Sequence, residues 1–168
     1  KLRALATAYA KTINHLQLEF DVLYGPAYTG IPLCASASLM VDKGKNKGSV
    51  GFAFNKKEDI TNTSLFGHPL KKQRVLVLDA VITSGLTLND AIGTVANHGG
   101  QVVGAMVIFD RQERSGTLGL SALQQAELQF NIPVYSIIAL DDITELCPAE
   151  FRSALLDYRA QYSACPQY

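Results

Sequence analysis

Cysteine is scarce in this chain: its 168 residues include three, Cys34, Cys147 and Cys165. They are far apart and match no CxxC or Cys/His ligand spacing, which argues against a structural metal or a disulfide framework and leaves reduced thiols as the expectation. An excess of charge of one sign is also missing, because Lys plus Arg and Asp plus Glu balance at 15 each. No bulk field favours nucleic acid or an anionic membrane as a partner, so any phosphate chemistry has to be local. No apolar run approaches the roughly 20 residues that span a bilayer. The first residues lack the apolar core of a secretory signal, and a cytoplasmic protein is expected. No internal repeat or low-complexity tract occurs. The absence of a GxGxxG after a strand disfavours a generic dinucleotide-binding domain.

What is present suits one well-packed domain over 1–168, at 48% hydrophobic content. "KLRALATAYAKTI" sets Leu2, Leu5, Ala6, Tyr9 and Ile13 on one helical face, so the chain opens in mid-architecture. Strand-like runs follow at "FDVLYG" (20–25), "VGFAFN" (50–55), "RVLVLD" (74–79), "QVVGAMVIFD" (101–110) and "PVYSIIAL" (133–140). Between them lie helix-like stretches: "IPLCASASLMV", "LTLNDAIGTVANHGG" closed by Gly99 and Gly100, and one near "GLSALQQAELQFN". A last helix runs through "AEFRSALLDYRAQY", and "DDITEL" reads as a helix start with an acid near its N-cap. Alternation of this kind predicts an α/β fold with a mostly parallel sheet covered on both faces. Ligands then bind beyond the C-terminal strand ends. The polar stretch 56–74 joins two strands without a convincing helix and is long for a connection.

"VLVLDAVITSGLT", Val75 to Thr87, carries the strongest chemical signal. The strand delivers Asp79 to the C-terminal edge, and "TSGLT" turns into a helix expected to begin near Leu88. Small residues and Gly85 let consecutive backbone N–H groups converge on an anion, with the helix N-terminus adding a favourable partial charge. The competing reading has Thr83 and Ser84 only capping that helix. "GPAYTGI" is equally compatible with an ordinary Pro/Gly turn, "NKKE" with a solvated strand end, and "DRQER" with a charged turn. His15, His68 and His98 have no sequence partner that would make a metal site or activate a nucleophile.

The order acid, second acid, two apolar residues, Thr, small residue, Gly, any residue, Thr resembles the phosphoribosyl pyrophosphate signature of type I phosphoribosyltransferases. "FDVLYGPAYTGIPL", "FAFNKKE" and "DRQER" (110–114) are similar, in the same order, to segments of the orotate phosphoribosyltransferase family. The resemblance implies the type I phosphoribosyltransferase fold, with the N-terminal hood absent or reduced. It implies transfer of ribose 5-phosphate from phosphoribosyl pyrophosphate to orotate, giving orotidine 5′-monophosphate and pyrophosphate in pyrimidine biosynthesis.

Carried over by position, Asp79 holds ribose, and Thr83, Ser84, Gly85 and Thr87 line the 5′-phosphate loop. Tyr28 and Thr29 belong to the pyrophosphate loop, and Lys56 and Lys57 reach the pyrophosphate, with Asp79 and Lys57 as the catalytic pair. Arg111, rather than Arg114, forks onto the orotate carboxylate. Magnesium is expected to be held mainly by the substrate, and a homodimer is expected.

The chain departs from the family in four places. Ala80 stands where the second acid is usual, Thr29 where a lysine is usual, and Lys56 where an arginine is usual, which keeps charge but loses the fork. After Glu58 the chain proceeds directly to "DITNTSLFG", without the lysine and histidine of the family's mobile lid; His68 is not their equivalent. An active transferase and a catalytically weakened or binding-only homologue both remain open.

Overall fold

The computed structural model describes residues 1–41, 50–55, 64–116 and 118–164. Lys56, Lys57, Glu58, Asp59 and Cys165 lie outside the described residues. The elements run α1 (Leu2–His15), β1 (Val22–Gly25), α2 (Gly30–Ser38), β2 (Gly51–Asn55), β3 (Leu65–Gly67), β4 (Arg74–Asp79), α3 (Leu86–Asn97) and β5 (Gln101–Asp110). They continue with β6 (Arg114–Ser115), β7 (Leu120–Ser121), α4 (Ala122–Phe130), β8 (Val134–Ala139), α5 (Leu140–Leu146) and α6 (Ala149–Tyr162). The main sheet has the order β3-β2-β1-β4-β5-β8. Its neighbours pair in parallel except β2 with β3. Among the described residues no helix is long and apolar enough to cross a membrane.

The central strands read as continuous apolar runs because both faces are covered. Alternate residues serve alternate sides. Val22, Tyr24, Val75 and Val77 pack with Leu88 and Val95 of α3 and Leu123 of α4. Leu23, Leu76, Leu78 and Met106 pack with Tyr9 and Ile13 of α1 and Leu33 of α2. The α1 face expected from spacing is therefore real for Ala6, Tyr9 and Ile13, whereas Leu2 stays exposed and Leu5 packs only at the margin.

Three features differ from the sequence reading. The polar connection contains β3, whose Phe66 pairs with Phe54 of β2 and stacks on its ring; three residues are too few for alternation to register. Helix α3 begins at Leu86 instead of near Leu88, because Gly85 breaks the turn earlier. The β6–β7 hairpin has two-residue strands, below what a pattern can mark.

Connections leave β1 in one direction towards β2 and β3, and the sheet grows from β4 in the other direction through β5 to β8. The order reverses between β1 and β4, so a crevice opens between their C-terminal ends. The β1–α2 turn lies against it closely enough to demand glycine. A Cβ on Gly30 would lie 2.6 Å from Pro26 Cδ and 2.7 Å from the Leu78 carbonyl oxygen. At the opposite strand ends, the Asp21 N–H donates to the Arg74 carbonyl at 2.8 Å, and the Arg74 N–H donates back to Asp21 Oδ2 at 2.8 Å. The Arg74 guanidinium adds a contact to Asp21 Oδ1 at 3.0 Å.

Two outcomes follow for stability. Gly30→Ala is expected to lower it by about 1–3 kcal/mol through overpacking, seen as a lower urea midpoint; an unchanged midpoint would mean the turn yields freely. The hydrogen bonds from Arg74 hold the Asp21 carboxyl below its ordinary value. A depressed carboxylate stabilises the fold fully above its unfolded pKa of about 3.9 and loses that contribution as pH falls through the lower folded value. Asp21→Asn should therefore be less stable than wild type at pH 7, and the gap should close towards pH 2; a pH-independent gap would rule out the charge as its origin.

Candidate active site

The turn "PAYTG" leaves β1 at the crevice. Its Ala27–Tyr28 peptide bond is cis, and the Ala27 N–H donates to Asn55 Oδ1 at the end of β2, at 3.1 Å. Tyr28 is exposed. Across the crevice, Thr29 Oγ1 donates to Asp79 Oδ1 at 2.7 Å, and the Ala80 N–H donates to the same oxygen at 2.8 Å. The Tyr9 hydroxyl donates to the Asp79 backbone carbonyl at 2.5 Å. Burial, and secondarily the Asp79 charge, push the Tyr9 hydroxyl pKa far up, so it remains a donor. Three elements thus fix Asp79, while its Oδ2 accepts no hydrogen bond from a described residue.

Beyond Asp79 the chain forms the anion-attracting turn. Gly85 is the N-cap of α3, with φ of 76°, and no side chain caps the helix. Thr83 and Ser84 therefore do not play the capping role that competed for them, and their exposed hydroxyls stay available. The first α-helical bond runs from the Asn89 N–H to the Gly85 carbonyl at 2.9 Å, so the N–H groups before Asn89 have no partner within the helix. Thr87 sits exposed in this first turn, and the buried Leu88 anchors it to the core. Ala80 packs its methyl against the cluster under α1 and α2, in the position where a second acid would stand.

Strand β5 runs three residues past Val107, the partner of Asp79, still paired with β8 through Asp110 and Ala139, so that Arg111 follows directly on its C-terminal end. Arg111 and Thr83 line one cavity of about 110 Å³, together with Ile82 and Asp110. Arg111 Nη2 lies 3.1 Å from Glu113 Oε2. Arg114 lines the same cavity, but its guanidinium donates to the Gln161 carbonyl of α6. Burial raises the Asp110 carboxyl above its ordinary value; the Gln112 N–H opposes this, and Asp141 nearby adds to it. A larger cavity of about 510 Å³ lies between α4, β8 and α6, sharing Asp110 and Gln112 with the smaller one but no residue of the turn 83–87.

The remaining candidates settle elsewhere. His68 Nδ1 donates to the Pro69 carbonyl and His98 Nδ1 to the Thr94 carbonyl, each at 2.8 Å. Cys34 is free and buried, with its thiol pushed up by that burial. Asp142 accepts from the Ala139 N–H at 2.7 Å and closes the start of α5. Among the described residues no three His, Cys, Asp or Glu side chains group as a metal cage. Sequence reasoning missed Tyr9, which looked like a core residue of α1, and missed that Thr29 bonds to Asp79. No local pattern announces either contact, because each joins distant segments.

A family model described as the phosphoribosyl transferase domain matches residues 1–118. An orotate phosphoribosyltransferase from Kluyveromyces lactis is 37% identical over 97% of this chain and 77% of its own length. One from Schizosaccharomyces pombe is 37% identical over 97% of this chain and 79% of its own. The first alignment spans 175 positions, more than the 168 residues of this chain, so that relative carries positions this chain lacks. The crystal structure of orotate phosphoribosyltransferase from Francisella tularensis matches the fold with a TM-score of 0.83, at 28% identity over 97% of this chain and 80% of that one. With its crevice at Asp79, the glycine-capped turn beside it and these relatives, the chain belongs to the orotate phosphoribosyltransferase family.

Proposed function

We propose that this chain transfers ribose 5-phosphate from phosphoribosyl pyrophosphate to N1 of orotate, in the cytoplasm and as a homodimer. The observation that carries the reading is the Thr29–Asp79 hydrogen bond, which spans the sheet's reversal point directly beside the uncapped turn 83–87. The free N–H groups of that turn and the hydroxyls of Thr83, Ser84 and Thr87 would bind the 5′-phosphate. Asp79, with Oδ1 occupied, would offer Oδ2 to a ribose hydroxyl. Arg111, on the far wall of the small cavity, would fork onto the orotate carboxylate and hold N1 towards the sugar. Tyr28 and the turn around it would approach the pyrophosphate, with Lys56 and Lys57 assigned there by resemblance alone.

The reaction passes through an oxocarbenium-like state that needs little covalent help. Clamping the phosphate and ribose and neutralising the leaving group supply the rate. Asp79 Oδ2, which accepts no hydrogen bond from a described residue, would help to hold a magnesium ion that arrives on its substrate. When bound, such an ion would neutralise the pyrophosphate charge.

A second reading, a binding-only homologue, is favoured by one observation. The Ala80 methyl is half-buried against apolar neighbours, and no carboxylate supplements Asp79 there. Orotate-dependent pyrophosphate release separates the two readings when wild type and Ala80→Asp are assayed together. Turnover by wild type is expected; if neither protein turns over while both bind ribose 5-phosphate, the transferase reading fails.

Site roles are checked by kinetics. Asp79→Asn is expected to reduce kcat/KM for phosphoribosyl pyrophosphate about 10- to 100-fold, the weight of a charged hydrogen bond. Arg111→Ala should raise KM for orotate by a similar factor of about 10 to 100 and leave KM for phosphoribosyl pyrophosphate unchanged. Equal effects on both substrates would remove Arg111 from the orotate site.

A further inference from the structure

Helix α6 buries none of its residues, yet its last turns are tied to the loop that carries Arg111. The Ala164 N–H donates to the Gln112 carbonyl at 2.8 Å, and Ser163 bridges Glu113 through the backbone. The Arg114 guanidinium reaches the Gln161 carbonyl, and the Tyr158 hydroxyl donates to Glu113 Oε1. The other oxygen of Glu113, Oε2, makes the 3.1 Å contact with Arg111 Nη2. The Glu113 carboxylate is thereby divided between a tyrosine and an arginine.

That division bears on Arg111. A carboxylate beside a guanidinium ordinarily closes a two-pronged pair, which would compete with any incoming carboxylate for the same fork. Here Tyr158 takes one prong. The Arg111 side chain stays 49% exposed while Glu113 is 24% exposed, so the guanidinium keeps an open face. The bond to Glu113 also raises the Tyr158 hydroxyl pKa, which keeps it a donor.

We propose that Tyr158 is a positioning residue for orotate: by holding Glu113 to a one-pronged contact, it leaves the Arg111 fork free for the substrate carboxylate. The proposal rests on the reading of Arg111 as the orotate contact. Tyr158→Phe releases Glu113 to close on Arg111. Removing the competing charge as well, in Tyr158→Phe/Glu113→Gln, should undo the damage, whereas a purely structural role for Tyr158 would leave the double variant no better than the single.

Calorimetric titration of orotate into the full chain tests this without requiring turnover. Tyr158→Phe is expected to raise the Kd about fivefold, the upper range for an exposed ion pair, with an unchanged thermal midpoint. The double variant should return to near the wild-type Kd, and Arg111→Ala should weaken binding most. Wild-type affinity in Tyr158→Phe, or a double variant as weak as the single, overturns the proposal while the Arg111 reading stands. If Arg111→Ala binds orotate as tightly as wild type, the Arg111 reading itself fails and the proposal falls with it.

Discussion

Asp79 is held from three directions: by a hydroxyl from the β1–α2 turn, by the N–H that follows it, and by a buried tyrosine from α1. Each donor depends on a different part of the fold. Thr29 reaches Oδ1 only because Gly25 and Gly30 let the turn lie flat against β4. Tyr9 reaches the carbonyl only because α1 packs beside α2 on that face of the sheet. The turn 83–87 then starts from a fixed residue, so the positions of Gly85 and the first N–H groups of α3 are inherited from the same anchor. A carboxylate fixed at one oxygen, whose other oxygen accepts from no described residue, suits a ligand hydroxyl, and a helix start without a side-chain cap suits an anion.

The departures from the family's pattern are structurally coherent. Thr29 carries no charge, and its hydroxyl steadies Asp79 at 2.7 Å. Ala80 adds apolar packing to the cluster beneath α1 and α2, while its N–H serves Asp79.

Much of this was legible in the sequence. The apolar runs 74–79 and 101–110 match β4 and β5, because long apolar segments carry their own signal, and the terminal helix matches α6. The stretch 75–87 was legible as a strand ending at Asp79 and a turn into a helix at Gly85, because these features are contiguous along the chain. Contacts between distant segments were not legible: Tyr9 with Asp79, Thr29 with Asp79, and Tyr158 with Glu113. Short elements such as β3 and the β6–β7 hairpin also escaped, since two or three residues hold no period and owe their form to neighbours. Within the Arg111 loop, the polar ties to α6 decide where side chains go, and spacing along one segment says nothing about them.

Backbone amide shifts measured while ribose 5-phosphate is added to the full chain test most directly the proposal that the turn 83–87 binds phosphate. Binding at the β1–β4 crevice predicts that the amides of Gly85, Leu86, Thr87 and Leu88 move first and together, with Thr29 following. Shifts confined to the larger cavity between α4, β8 and α6, with the turn 83–88 unmoved, would contradict it.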